Sequence, residues 1–259
     1  MRLSVVIPTL AARPEELARA LASVHAQRLA PDEVLVVCDH NPTKLAQLRS
    51  QVGSAARVEG GLGQRGVSAA RNLGARHASG TFVAFLDDDD AWKPTYLAHA
   101  LRDGDNFDLA LTAFEKHQPH QTTPEKIPPT RLSVDPFLVR NPGIRGSNIL
   151  VRRSLLLDMG GFDETLMAFN DMDFGLRAAQ RPDLRYRQIP QHLVEFYSHT
   201  GARLTTKGST TIAQGAHQFF LKHGSLMSPQ QQLDFWDRAH QIWGLTPPKD
   251  LRLPAHRCA

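Results

Sequence analysis

Short apolar runs alternate with amphipathic stretches through the first half of the chain. Leu3 to Ile7 predicts a strand. Pro14 to Gln27 predicts a helix, with Leu17, Leu21 and Val24 on one face and Pro14 in its first turn. Val34 to Cys38 predicts a second, buried strand, Thr43 to Ser50 a short helix and Ala56 to Glu59 a third strand. Gly60 to Gly66 is glycine-rich and must turn sharply. Val67 to Ala78 predicts a helix that Gly80 ends, and Phe82 to Leu86 a fourth strand that is apolar almost throughout. Strands that are apolar on both faces and separated by helices imply a parallel sheet covered on both sides.

The second half is less regular. Pro94 to Arg102 predicts a helix and Leu109 to Phe114 a strand, whereas Lys116 to Arg131, rich in Pro, Thr, His and Gln, reads as a mobile loop. Ile149 to Arg152 predicts a strand and Asn170 to Gln180 a helix with Asn170 or Asp171 near its start. Leu193 to Tyr197 is strand-like, Gly201 to Gly208 is polar and flexible, and Thr210 to His223 and Pro229 to Trp243 predict C-terminal helices before a tail.

Composition narrows the class. The chain has 259 residues, 41% hydrophobic and 22% charged, enough to bury a sizeable core without staples. The net charge of +4 is spread along the chain, so the dense basic stripe of a nucleic-acid binder is missing. Cys38 and Cys258 form neither a disulfide framework nor a zinc spacing, which fits a reducing cytoplasm. No signal sequence opens the chain and no apolar run reaches transmembrane length, so a soluble or peripherally membrane-associated protein is expected.

Candidate chemistry centres on Leu86-Asp87-Asp88-Asp89-Asp90, directly after a buried strand. Parallel α/β sheets bind ligands beyond the carboxyl ends of their strands. Adjacent carboxylates raise one another's pKa unless a cation is near, and hard oxygen ligands suit Mg²⁺ or Mn²⁺. In extended backbone Asp87 and Asp89 would face one way and Asp88 and Asp90 the other. The structural alternative is an acidic turn, with Asp90 as a helix cap. Asp39, ending the second strand, could accept hydrogen bonds from a base or ribose, or could simply make a turn. Within Gly66-Val67-Ser68-Ala69-Ala70-Arg71-Asn72, small residues permit close packing, and Arg71 suits phosphate or nucleobase, or a surface ion pair. Gly61, Gly63 and Gly66 match neither the dinucleotide nor the P-loop fingerprint. Asp171, after Gly160-Gly161-Phe162-Asp163-Glu164, could be a general base or part of a capping cluster.

Taken in order, Val5-Val6-Ile7-Pro8-Thr9, Asp39, Arg71-Asn72, Phe85 through Trp92 and Gly160 through Glu164 resemble the family-two glycosyltransferases with the GT-A fold, over about residues 1 to 200. The resemblance implies a Rossmann-like nucleotide-binding sheet flanked by helices, continuous with an acceptor-binding half and C-terminal helices. The corresponding division is 1–114, 115–208 and 209–259. It implies that Pro8, Thr9, Asp39, Arg71, Asp87 and Asp88 bind the nucleotide sugar, usually a UDP-sugar. It further implies that Asp89 holds Mn²⁺ or Mg²⁺, that Asp171 is the catalytic base, and that transfer inverts the anomeric centre. His199 stands where relatives contact the metal or diphosphate, with a surface histidine as the alternative. His192 is a weaker candidate. His25, His77 and His99 read as surface or helix-end residues, Trp92 as packing, and Arg203 and Lys207 as phosphate grips or solvated charges.

Three departures stand out. Cys38 replaces an acid often found before Asp39, Asn170 replaces a Glu before the base, and the Gln-x-x-Arg-Trp signature of processive synthases is absent. One transfer per encounter onto a small or glycan acceptor is therefore expected, and the C-terminal helices could pair subunits as a homodimer. The rivals are a nucleotidyltransferase, whose glycine-rich opening is missing, and a non-catalytic nucleotide-sugar binder, which would not need Asp171.

Overall fold

The structure is a computed structural model and describes residues 2–38, 42–60, 66–102, 104–197 and 207–247. The first half runs β1 (Leu3–Thr9), α1 (Pro14–His25), β2 (Glu33–Cys38), α2 (Pro42–Val52), β3 (Arg57–Gly60), α3 (Val67–His77) and β4 (Phe82–Phe85), close to the predicted bounds. All seven residues of β1 are buried, as a central strand requires. It pairs in parallel with β2 on one side and β4 on the other, and β2 pairs in parallel with β3. The order β3-β2-β1-β4 reverses the winding at β1, which opens a crevice beyond the carboxyl ends of β1 and β4.

Alternate residues of each central strand feed two cores. Val6, Leu35 and Val37 join one cluster, and Val5, Ile7, Val34 and Val36 the other. α1 buries Leu17, Ala20, Leu21 and Val24, a helical stripe against one face. On the other face α3 lies unusually close. A Cβ at Gly74 would sit 2.4 Å from Val6 Cγ1, so only glycine permits that approach. The expectation of a sheet covered on both sides holds.

The second half continues with β5 (Ala91–Trp92), α4 (Tyr96–Leu101), β6 (Leu109–Gln118), β7 (Gln121–Pro124), α5 (Val134–Val139), β8 (Ile149–Arg152), α6 (Arg153–Asp158), α7 (Asn170–Ala179), β9 (Tyr186–Tyr197), α8 (Thr210–His223) and α9 (Pro229–Trp243). Among the described residues nine strands form one sheet, in the order β3-β2-β1-β4-β8-β6-β9-β5 with β7 beside β6. β8 runs antiparallel to β4 and β6, and β5 antiparallel to β9, so the sheet is mixed, not wholly parallel.

The expected loop over Lys116 to Arg131 is corrected in its first part. β6 runs on to Gln118 and returns as β7, pairing Lys116 with Thr123 and His117 with Thr122. All four residues of β7 are exposed, so backbone pairing holds this hairpin and no hydrophobic alternation marked it. α5 and α6 are short helices that the pattern did not separate from their surroundings. α8 and α9 lie where predicted. Their Phe219, Phe220, Phe235 and Trp236 share a core cluster with Phe137 and Phe162.

Candidate functional site

β4 delivers the acidic run to the crevice. Beyond the buried Leu86 the backbone tightens, and the Asp90 N–H donates to the Asp87 carbonyl at 3.1 Å. The run is thus a turn, not extended chain, yet the expected alternation persists in exposure. The side chains of Asp87 and Asp89 are 31% and 23% exposed, while Asp88 and Asp90 are buried. Asp88 accepts from the Thr9 hydroxyl at 2.6 Å and from Arg13 Nη2 at 2.7 Å. Asp89 accepts from Arg13 Nη1 at 2.6 Å, and its carbonyl accepts from Arg19 Nη2 at 2.7 Å.

Asp90 caps no helix. It accepts the Ser147 hydroxyl with Oδ2, and its buried Oδ1 has no hydrogen-bond partner among the described residues. Burial pushes the Asp90 carboxyl well above the ordinary range, and the charges of Asp89 and Asp87 push the same way. Burial likewise lifts Asp88 to about 6, against the hydrogen bond from Thr9 and the charge of Arg13.

Arg71 joins the acidic turn to α7. Its guanidinium is 2% exposed and donates from Nη2 to Asp87 at 2.7 Å and from Nη1 to Asp171 at 2.8 Å. It is a buried bridge and not a surface ion pair. A buried guanidinium requires such partners, because desolvation without them is prohibitive. Gly146 makes room for it, since a Cβ there would lie 1.9 Å from Arg71 Nη2. Burial raises the Asp171 carboxyl and Asp87 adds to it; Arg71 and the Gly146 N–H oppose, and the net direction is up. Asp171 remains 21% exposed, so an approaching group can reach it.

α7 itself is held by charges on its buried side. Asp173, fully buried, accepts from Arg177 Nε at 2.8 Å, meets Lys222 Nζ at 2.7 Å and pairs with His223 Nε2 at 2.9 Å. Burial works to raise this carboxyl. The hydrogen bond from His223, with Arg177 and Lys222, outweighs it and holds Asp173 down at about 2. Phe169 enters the helix in the left-handed region at φ 63°, and no side chain caps the first turn, so the capping alternative for Asp171 does not describe α7.

Asn72 docks the Gly160–Glu164 segment. It donates to the Phe162 carbonyl at 2.8 Å and to Glu164 at 2.9 Å, and accepts from the Phe162 N–H at 2.8 Å. Gly161, at φ 75°, passes so close that a Cβ would sit 2.3 Å from Asn72 Oδ1. The two sequence motifs are thus one contact. Phe162 then stacks on Phe174 of α7, with centroids 4.8 Å apart.

Of the other predicted residues, Pro8 and Thr9 end β1 at the crevice, with Pro8 paired to Val37. Asp39, His199 and Arg203 lie outside the described residues. Lys207 is exposed. His192 Nε2 lies 2.9 Å from the Glu125 carbonyl, and His77 Nδ1 lies 3.2 Å from Glu59. Trp92 is packing, stacked on Tyr96 at 4.2 Å with its indole N–H on the Ser147 carbonyl.

Arg13, Gly146 and Ser147 were not anticipated. Arg13 had a visible signal, a cation a few residues beyond the Pro8-Thr9 strand end, whereas Gly146 and Ser147 lie some 60 residues from the acidic run with nothing local to mark them. Also unanticipated is a group of Glu115, His117 and Glu195, whose ligand atoms lie within 4.8 Å of one another. Lys93 Nζ sits 2.6 Å from Glu115 and the Tyr197 hydroxyl donates to Glu195 at 3.0 Å, so these carboxylates already have partners.

Known proteins resemble this one over half or more of its length. The sequence model described as glycosyl transferase family 2 matches residues 4–159, which ends before Asp171. The succinoglycan biosynthesis protein ExoW of Rhizobium meliloti is 35% identical over 162 residues, 56% of this chain and 49% of that protein, so the match spans about half of its length. An uncharacterized glycosyltransferase of Haemophilus influenzae is 26% identical over 227 residues, 85% of this chain and 76% of the relative. The crystal structure of Staphylococcus aureus TarS in complex with UDP-GlcNAc superposes with a TM-score of 0.65 at 17% identity, covering 95% of this chain and 74% of that one. That likeness bears out the expected GT-A fold. Among the described residues, no helix is long and apolar enough to cross a membrane.

Proposed function

The chain belongs to glycosyl transferase family 2, and on that premise we propose that it moves a sugar from a nucleoside diphosphate, by preference UDP, to a hydroxyl or amine of a small or glycan acceptor, inverting the anomeric centre. The observation that carries this reading is the Arg71 bridge, which brings Asp87 of the donor crevice and Asp171 of α7 to one guanidinium, 2.7 and 2.8 Å away. A direct displacement needs the leaving diphosphate and the base beside one sugar carbon, and this bridge supports that placement. The donor preference is consistent with TarS, which was crystallised with UDP and with UDP-GlcNAc. Residues 1–114 would form the donor half, 115–208 the acceptor half, and 209–259 the supporting helices and tail.

Asp171 takes the acceptor proton as attack occurs. Its raised pKa strengthens it as a base, and its partial exposure gives the acceptor access. Thr9 and Asp88 line the crevice toward ribose and phosphates, and Arg71 fixes the spacing of Asp87 from the base. The carboxylates of the acidic turn fit a hard divalent cation, since their donors are all oxygen and a guanidinium already sits across Asp88 and Asp89. Asp89, with His199, would hold Mn²⁺ or Mg²⁺, which supplies charge neutralisation to the leaving diphosphate. The reaction would run in the cytoplasm. A non-catalytic binder would have no use for a partly exposed Asp171 of raised basicity.

Calorimetry with UDP and Mn²⁺ tests the cation assignment. Asp89→Ala is expected to abolish metal-dependent binding, and Asp171→Asn to keep binding while removing turnover. Undiminished binding by the Asp89 variant, or full turnover by the Asp171 variant, overturns the respective assignment. A screen of nucleotide sugars for thermal stabilisation identifies the donor, since a ligand at a hundred times its Kd stabilises by about 2.7 kcal/mol.

A further inference from the structure

The acidic turn already carries a cation of its own. Arg13 stands at the mouth of the crevice, just before α1, with its side chain 38% exposed. Its two terminal nitrogens reach different carboxylates, Nη2 to Asp88 Oδ1 at 2.7 Å and Nη1 to Asp89 Oδ2 at 2.6 Å. The loop that carries it is set by local chemistry. The Thr9 hydroxyl accepts from the Ala11 N–H at 2.9 Å and donates to Asp88 at 2.6 Å, so one side chain places both the loop and a carboxylate. Ala11 adopts φ 51°, left-handed backbone that a non-glycine residue takes up only where its surroundings demand it. Pro14 then keeps Arg13 out of helical backbone, at φ −133° and ψ 76°.

A guanidinium and a divalent cation cannot share Asp89 Oδ2 at bonding distance, because like charges at that separation repel strongly. A planar fork that spans two carboxylates suits two phosphate oxygens equally well. Resting on the assignment of Asp89 to the cation, we propose that Arg13 closes the cation site of the ligand-free protein. The diphosphate of an incoming nucleotide draws it off, so that divalent cation and nucleoside diphosphate bind as a pair. Entering alone, the cation must displace Arg13 into water; entering with the nucleotide, it leaves Arg13 a new set of anionic oxygens. Linkage makes the effect reciprocal, each ligand tightening the other by the same factor.

The test is a titration of free Mn²⁺, followed by electron paramagnetic resonance, with the full chain in the presence and absence of saturating UDP. Wild type is expected to bind Mn²⁺ weakly alone and at least roughly tenfold more tightly with UDP. Arg13→Gln is expected to bind Mn²⁺ alone about tenfold more tightly than wild type and to lose a matching share of the UDP effect. Arg13→Lys, whose single ammonium cannot span both carboxylates, is expected to fall between them. Equal affinity for Mn²⁺ alone in wild type and Arg13→Gln, with UDP tightening both alike, overturns the role of Arg13 while leaving the cation at Asp89. Failure of wild type to take up Mn²⁺ even with UDP overturns the cation assignment, and the Arg13 role with it.

Discussion

Arg71 reaches Asp87 and Asp171 together only because position 146 carries no side chain. A methyl group there would sit 1.9 Å from Arg71 Nη2 and 2.9 Å from Asp87 Oδ1, so the fully buried guanidinium would have to leave at least one carboxylate. Gly146→Ala is expected to cost about 1–3 kcal/mol, the usual penalty of overpacking, measured by urea denaturation. On the proposed roles of Asp87 and Asp171, turnover should fall further than UDP affinity, because the methyl disturbs the spacing between these two carboxylates. Equal losses in both would assign the glycine to stability alone. The carboxylates of this site were legible as residue types in local context. Gly146 and Ser147 were not, because each acts on groups 55 residues or more away along the chain, and for Arg13 only the cation after the strand end was visible, not the carboxylates 75 residues on that it holds.

α7 carries Asp171, and its position depends on a charge cluster on its inner side. Asp173 is held at about 2 by His223, Arg177 and Lys222 against the cost of burial. A carboxyl depressed in the folded state stabilises the protein above its unfolded value near 4, and that contribution is lost as pH falls through the folded value near 2. Asp173 should thus contribute about 2–3 kcal/mol at neutral pH, vanishing between about pH 4 and pH 2. Urea midpoints for wild type and Asp173→Asn as a function of pH measure this. The variant should be less stable at neutral pH, and the difference should shrink as pH drops; a constant difference would contradict it. At this scale the sequence was a good guide where burial patterned the chain, as in α8 and α9. It failed for the β6–β7 hairpin, whose returning strand is polar, wholly exposed and without apolar alternation.

At the scale of the whole molecule, the described residues form one mixed sheet with helices on both faces, and the C-terminal pair belongs to its core. Phe219 and Phe235 stack with centroids 5.8 Å apart, and Phe169, which leads into α7, contacts both. Four large aromatics of α8 and α9 are buried, each contributing about 1.5–3 kcal/mol, which together rivals the whole stability of a typical domain. A chain ending at Gly208 is therefore expected to lose its cooperative thermal transition and to aggregate. A soluble truncated protein with an unchanged melting curve would show these helices to be an independent appendage.

The sequence by itself determined the parallel half of the sheet, its covering helices and the place of an acidic run at the end of the fourth strand. Each of these is a local matter of apolar periodicity, or of a polar run directly after a buried strand. Only the tertiary structure decided that β8 returns antiparallel, that Asn72 docks Gly161 and Phe162, and that Arg13 and Arg71 partition the acidic turn between them. Arg13 reaches Asp88 across 75 residues, Asn72 reaches Phe162 across 90 and Arg71 reaches Asp171 across 100, and the energy of these contacts lies in burial and charge that exist only once the chain has closed around them.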